Sequence, residues 1–199
     1  MIGFFRNKTV PLADQWTRLK EAGITVNEGI SLEHLMSGKD KAWFEEKPYV
    51  HLLIALGGQT LIEEEWANHT SNIWYVDLKA VEDTDIYTQL AERMVQMTDG
   101  TLEMKHIRSC VDHEKRNVLF SFIYQGERIE WNLEYKNEWI DKSFFDHMIA
   151  LDRTRNPERQ FVASPQDHHL LIAYIDQKQF KQLNKWIKPE FELWDNGAR

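Results

Sequence analysis

The sequence predicts an α+β fold, in which an antiparallel sheet with a central three-strand meander and a C-terminal hairpin carries helices packed on it. The first observation is that three segments within residues 102–135 alternate between apolar and polar side chains. Their connections, 113–116 and 125–126, are too short for a crossover helix, so the strands should be antiparallel neighbours. The second is that strands follow one another in runs instead of alternating strictly with helices. No linker divides the chain, so residues 1–199 are expected to form one domain.

Helices are expected to dominate the N-terminal part. Leu12, Trp16 and Leu19 recur at helical spacing and predict a helix over about residues 11–22, with Gly23 as the residue that follows its end. Two further segments complete this part: a short helix capped by Ser31 and ended by Gly38, and the segment Tyr49–Leu56. The second segment is apolar on nearly every side and fits a buried helix or a buried strand; we favour a helix because Gly57 and Gly58 follow it.

A strand and a long helix come next. Residues 72–81 alternate as a strand does, and Glu82–Asp85 supply capping residues and acids for the positive end of a helix dipole. The helix should run to about Thr98, before the stop at Asp99–Gly100. Its expected apolar stripe consists of Ile86, Leu90, Met94 and Met97.

The C-terminal part repeats the pattern of strands and helices. The meander strands are expected over 102–111, 117–124 and 128–135, and a helix opens at Asp141 and closes at Asn156–Pro157. Two further strands are expected, Arg159–Ala163 and His169–Ile175, joined by a turn at Ser164–Asp167. Asp176 then caps a last helix, which stops at Pro189 and carries the apolar residues Phe180, Leu183, Trp186 and Ile187. A short strand, Phe191–Trp194, ends the pattern.

The composition excludes several classes of protein. With 42% hydrophobic and 28% charged residues, the chain is neither disordered nor of low complexity. The single cysteine, Cys110, excludes an intramolecular disulfide framework and a cysteine-rich zinc module. The longest clean apolar run, Leu52–Leu56, is far short of a membrane span, and the first ten residues lack the apolar region of a signal peptide. A cytoplasmic protein without a membrane partner is therefore expected.

Negative charge is concentrated in one segment of the chain. Residues 45–99 contain 11 acids and 3 bases, an excess equal to the net charge of −8 for the whole protein. Such a surface repels nucleic acid and anionic lipid and attracts basic partners. Direct nucleic-acid binding is therefore not expected. The alternative is that the acidic segment 45–99 is only a solvated face that keeps the protein in solution.

No motif in the chain specifies a reaction. The nucleophile elbow, the phosphate-binding glycine loops and the helical zinc-protease motif are all absent from the sequence, and Cys110 is expected to be a small strand hydrophobe. Adjacent histidines in a strand point to opposite faces, so His168 and His169 are not expected to share an ion. Two other histidine groups are candidates for a metal site: His51 with Glu63–Glu65, and His106 with Asp112 and His113. Neither matches the zinc-protease motif. We therefore predict no catalytic residues, no metal and no cofactor.

The eight tryptophans are the other unusual feature of the composition. Tryptophan is seldom completely buried and is enriched in the energetic centres of interfaces. Trp66 directly follows the acids Glu63–Glu65, and Trp74 precedes the next acidic cluster. Each is equally well explained as an interface residue or as part of the core.

The C-terminal part resembles a bacterial family. The pattern runs from Asn132 and Glu134 through Glu138–Asp141, and continues with Arg159–Phe161, Gln166–Leu171, and Gln179 with Leu183. It is similar to small bacterial proteins grouped with polymorphic-toxin immunity proteins, including those of contact-dependent growth inhibition. The resemblance covers roughly residues 130–188 and brings no catalytic residues with it.

This resemblance implies a cytoplasmic immunity protein, not an enzyme, that binds and neutralises a cognate bacterial toxin domain, expected to be a basic nuclease. The acidic, aromatic-containing surface agrees with that function, because acids speed association with a basic partner and tryptophans hold it. Two alternatives stay open: a small hydrolase or metal-dependent enzyme whose carboxylate and histidine site assembles only in space, and a non-catalytic adaptor. The predicted partner-binding residues are Glu63, Glu64, Glu65, Trp66, Trp74, Glu82, Asp83 and Asp85.

Overall fold

The computed structural model describes residues 9–79, 81 and 83–194. Within these residues it contains seven helices and nine strands, all strand pairs being antiparallel, so the predicted α+β class is confirmed. In chain order the elements are α1 (Leu12–Glu21), α2 (Leu32–Leu35), α3 (Lys41–Glu46), α4 (Val50–Leu56), β1 (Gln59–Ile62), β2 (Glu65–Asn68), β3 (Ile73–Asp77), α5 (Ile86–Met97), β4 (Lys105–Asp112), β5 (Asn117–Tyr124), β6 (Glu127–Leu133), α6 (Ser143–Arg153), β7 (Arg159–Gln166), β8 (His169–Asp176), α7 (Gln177–Leu183) and β9 (Glu192–Leu193).

A four-stranded sheet with the order β3-β8-β7-β9 lies at the centre of the molecule. Successive side chains of β8 point to opposite faces, as the pleat of a strand requires. Leu170, Ile172 and Tyr174 belong to one hydrophobic cluster, whereas Leu171 and Ala173 belong to another. Because both faces of β8 are covered, its sequence from Leu170 to Ile175 has no charged or strongly polar residue.

The N-terminal helices and α7 cover one face of this sheet. Leu19, Phe44 and Leu53 pack there with Leu171, and all four are almost completely buried. The buried side chain of Gln15 joins the helices, because its Nε2 donates to the carbonyl oxygens of Val10 and Phe44 while its Oε1 accepts from the Tyr49 backbone amide. The predicted helix in the ambiguous segment 49–56 is therefore confirmed as α4.

The other face is covered by α5, α6 and the meander β4-β5-β6. The predicted stripe of α5 is buried, and it packs with Phe120 of β5 and with Phe144 and Phe145 of α6. The meander is a sheet of its own and does not join the C-terminal hairpin β7–β8. The helix and strand predictions for residues 86–153 are confirmed with small shifts of their ends.

Four details differ from the sequence-based expectation. Helix α3 and the hairpin β1–β2 were not predicted; strand β7 continues to Gln166, which leaves only Asp167 and His168 for the turn; and α7 ends at Leu183, before the expected Trp186. Two of the predicted helix caps, Ser31 and Asp176, are confirmed and form capping boxes. Among the helices of the described ranges, none has both the length and the apolar character that crossing a lipid bilayer requires.

Candidate functional site

The predicted acids Glu63–Glu65 lie at the end of the hairpin β1–β2. The last paired residues are Ile62 and Glu65, so Glu63 and Glu64 form the two-residue turn. Both have a positive φ, 49° and 71°, as in the type I′ turn that suits the twist of a hairpin. Neither is a glycine or an asparagine, so the turn holds two side chains in a left-handed backbone conformation that costs free energy.

The hairpin has one covered and one open face. Ile62 and Ala67 are partly buried against the N-terminal cluster. Leu61 and Trp66 are direct cross-strand partners on the opposite face, where they are 56% and 69% exposed, more than any other large hydrophobic side chain in the described part of the chain. A tryptophan and a leucine thus lie side by side in solvent, close to the turn glutamates Glu63 and Glu64. Glu65 is also exposed, but its register partner is Ile62, on the other side of the hairpin.

Hydrogen bonds place the base of the hairpin against α5. Gln59 Nε2 donates to Asn68 Oδ1 at 2.9 Å, and Asn68 Nδ2 donates to Gln96 Oε1 at 3.2 Å. The exposed side of α5 continues from Gln96 through Glu92 to Gln89 at helical spacing. We use the name acidic face for the exposed acids and large apolar side chains of the hairpin together with the exposed acids at the start of α5 and on its outer side. These residues are Leu61, Glu63, Glu64, Glu65, Trp66, Asp85 and Glu92.

The one basic residue of α5 does not offset these acids at the surface. Arg93 is buried, and its Nη2 donates to the carbonyl oxygens of Thr70 and Ile73 at 2.8 and 2.9 Å. Burial lowers the pKa of Arg93 to about 10. Its guanidinium therefore serves to fix the loop that leads from the hairpin into β3, and the outer side of α5 stays negative.

Trp74 lies apart from the exposed pair. It is half-buried, with its ring 6.3 Å from that of Phe145. It also lines a cavity of about 360 Å³ between the hairpin base and α5, together with Gln59, Gln89 and Arg93. The structure thus places Trp74 in the wall of a cavity beside the acidic face, not on the face itself.

The acids before α5 have a different role from the one expected. Glu82 lies outside the described residues. Asp83 and Asp85 are exposed, but the carboxylate of Asp85 makes no capping bond to a backbone amide and instead accepts from Gln89 Nε2 at 3.1 Å. The expectation that these side chains cap the helix is therefore wrong for Asp85, whose charge remains at the surface.

Leu61 is the site residue that sequence reasoning missed. Its exposure follows from the hairpin, and the hairpin has no sequence signal because its turn is built from two glutamates instead of Asn-Gly. Once the turn is known, the pairing of Leu61 with Trp66 follows from the register.

Replacing Glu63 by Asn and Glu64 by Gly is expected to raise the free energy of unfolding by about 1 kcal/mol, because Asn-Gly adopts this turn without strain. Urea denaturation measures the change. The matched control, Glu63→Gln with Glu64→Gln, removes the same two charges and keeps the strained backbone, so its stability should stay close to that of the native protein. Equal stabilities of the two double variants would contradict the strained turn.

The histidines considered from sequence are distributed differently. His51 is buried, stacks on Trp43 at 3.9 Å and contacts the Trp43 carbonyl oxygen through Nδ1; His113 contacts the Tyr135 hydroxyl at 3.1 Å. In the described ranges neither belongs to a group of three possible metal ligands. Contrary to expectation, His168 and His169 do not point to opposite faces of a strand, because His168 lies in the turn before β8 and the centroids of the two rings are 4.1 Å apart.

Comparison with known proteins gives no relative for this chain: no family model, no curated protein and no solved structure matches it. The surface of the molecule therefore has to carry the functional inference. Its most distinctive part is the acidic face, where exposed apolar side chains and exposed carboxylates lie on a hairpin and a helix joined through Asn68 and Gln96.

Proposed function

We propose that this protein is a cytoplasmic immunity protein that binds a cognate bacterial toxin domain through the acidic face and neutralises it. The exposed pair Leu61 and Trp66, close to the turn glutamates Glu63 and Glu64, is the observation that carries the proposal. Water-exposed tryptophan is costly to a protein that has no use for it, and tryptophan is the residue type most enriched in the energetic centres of interfaces.

The charge of the face determines the kind of partner. A toxin domain that cuts RNA or DNA has a basic substrate groove, since it must neutralise phosphates. Carboxylates on a protruding turn can occupy such a groove in place of the phosphates and exclude the substrate. Opposite charges also accelerate the encounter, which matters for an inhibitor that must reach an active nuclease before the nuclease reaches nucleic acid.

The exposed pair Leu61 and Trp66 would contribute the binding free energy that the surface carboxylates do not. Exposed ion pairs contribute little net free energy and weaken with salt. An indole and an isobutyl group that become buried together can hold the complex and slow its dissociation. The positive φ of Glu63 and Glu64 keeps the turn tight, so that the acids and the apolar pair are presented on one preorganised element.

Co-expression with the toxic C-terminal domain encoded by the adjacent upstream gene is the direct test. Rescue of growth together with co-purification of a stable one-to-one complex is the expected result. Continued toxicity without a complex would contradict the immunity function, and it would favour the adaptor or enzyme alternatives.

Charge reversal then tests the acidic face within that complex. Changing Glu63, Glu64 and Glu65 to Lys should lower the association rate by about tenfold or more at low salt and reduce its salt dependence. The matched control changes three exposed glutamates elsewhere, Glu114, Glu127 and Glu158, to Lys, with the same change of net charge. Stopped-flow measurement over a series of salt concentrations should find the control much closer to the native rate. Equal rates for the two triple variants would exclude the hairpin from the interface.

A further inference from the structure

A second group of chemistry-bearing side chains lies at the far end of β3. Asp77 is the last residue of β3, and its register partner is His169, the first residue of β8. His168 precedes it in the two-residue turn between β7 and β8, whose other member, Asp167, has a positive φ of 60°. Because His168 lies in the turn and not in the strand, its side chain does not have to point away from that of His169. Both imidazoles therefore lie close to Asp77.

The distances fit the first coordination shell of a small metal ion. His169 Nε2 is 3.8 Å from Asp77 Oδ2, and one ligand atom from each of Asp77, His168 and His169 lies within 4.8 Å of the others. Ligands about 2.0–2.2 Å from a tetrahedral zinc ion are about 3.4 Å apart, which small side-chain rotations here would reach. All three residues are half-buried, so an ion can enter from solvent.

Each ligand is held by a neighbouring group, as in natural metal sites. Asp77 Oδ1 accepts from the Lys79 amide at 2.8 Å, which leaves Oδ2 directed to His169. The His169 ring stacks on Tyr75 at 4.6 Å, nearly parallel. His168 Nδ1 is 3.1 Å from Asp167 Oδ2, and a proton donated there leaves Nε2 free as the metal ligand.

The local charge favours a cation. The ammonium of Lys79 lies over the Trp139 ring and pairs with Glu138 at 3.4 Å, so it is engaged away from Asp77. Asp77 and Asp167 place two carboxylates beside the imidazoles, Asp77 through Oδ2 near His169 and Asp167 through its contact with His168.

We propose that Asp77, His168 and His169 form a binding site for a divalent transition metal ion, with Zn²⁺ as its natural occupant and a water molecule as a further ligand. Two imidazoles and one carboxylate suit Zn²⁺, whereas Mg²⁺ and Ca²⁺ require a shell of oxygen ligands. The ion would fasten the end of the edge strand β3 to the β7–β8 turn. The site shares no ligand with the acidic face and does not depend on the proposed function.

Isothermal titration of ZnCl₂ into the chelator-treated full chain at about pH 7.5 tests the site; the pH is held fixed because protons compete with the metal for its ligands. One ion per chain is expected to bind, and MgCl₂ is expected to give no signal. His168→Ala and His169→Ala should each abolish this binding, while His113→Ala, an exposed histidine on the meander, should retain it. Asp167→Asn should weaken binding by about tenfold, because it replaces the charged carboxylate that orients His168 by a neutral, weaker hydrogen-bond acceptor.

The substitution of His168 is the most informative one, since it lies in a turn and not in the core. Its circular dichroism spectrum should match that of the native protein, so a loss of binding would not reflect unfolding. Co²⁺ in place of Zn²⁺ should give the intense visible absorption of a four-coordinate ion in the native protein and not in His168→Ala. Absence of zinc binding by the native chain, or unchanged binding after His168 and His169 are both replaced by Ala, would overturn the proposal.

Discussion

Replacement of Asp152 by Asn is expected to raise the free energy of unfolding by about 3 kcal/mol near pH 7. Asp152 lies on α6 and is only 1% exposed. Burial raises its pKa to about 6, although the hydrogen bond from the Tyr174 hydroxyl and the charge of Arg159 act in the opposite direction. Near neutral pH the protein therefore holds a buried carboxylate whose charge is poorly compensated, and the amide has the same shape without the charge.

The direction in which the free energy of unfolding changes with pH follows from proton binding at Asp152. The folded protein binds a proton at Asp152 more tightly than the unfolded chain, whose carboxyl has a pKa of 3.8. The stability from this group is complete below about pH 4 and is lost as the pH rises through 6; a shift of about two pKa units corresponds to about 3 kcal/mol. The advantage of Asp152→Asn should thus be full near pH 7 and disappear near pH 4.

Urea denaturation of Asp152→Asn and of the native protein between about pH 4 and pH 7 measures the difference in their free energies of unfolding. The contributions of the other titrating groups are the same in both proteins and cancel in this difference. Glu158→Gln, an exposed carboxylate changed to its amide, is the matched control and should differ little from the native protein at any pH. A pH-independent difference between Asp152→Asn and the native protein would show that the carboxylate is not strained by burial.

The parts of the fold that sequence could predict have local signals. Ser31 and Asp176 could be identified as caps because serine and aspartate are preferred at the position before a run of residues with helical spacing. In the structure each also forms a capping box with the residue three positions later. The stripe of α5 and the alternation of β5 were identified from their periods, since each element buries one side only. Helix α3 was missed because its six residues are too few to establish a period.

Predicting the acidic face would have required information that is not local in the sequence. Glu63 and Glu64 form a turn only because the paired strands impose it, so neither the hairpin nor the exposure of Leu61 could be predicted. His168 shows the same dependence: the alternation of a strand does not apply to it, because it lies in the turn directly before β8. Whether Trp66 belongs to the core was likewise decided by which face of the hairpin is covered.

Trp66→Ala should weaken the complex with the toxin domain by about 2 kcal/mol or more, which is about 30-fold in Kd. The indole is 69% exposed in the free protein, so its removal should change the free energy of unfolding by less than about 0.5 kcal/mol. The loss should appear mainly as faster dissociation, because the glutamates that steer the encounter are unchanged. Surface plasmon resonance separates the two rates.

Two companion variants make this result specific. Trp139 is 39% exposed and lies over Lys79, away from the hairpin, so Trp139→Ala removes the same kind of side chain and should leave the affinity unchanged. Leu61→Ala should weaken binding, and in the double variant its effect should be smaller than alone, because Leu61 and Trp66 are direct cross-strand partners that bury against the same surface. Strict additivity would mean that the two side chains contribute to binding independently and do not share one contact surface. Equal losses of affinity from Trp66→Ala and Trp139→Ala would contradict an interface at the acidic face, because the effect would then not depend on where the tryptophan lies.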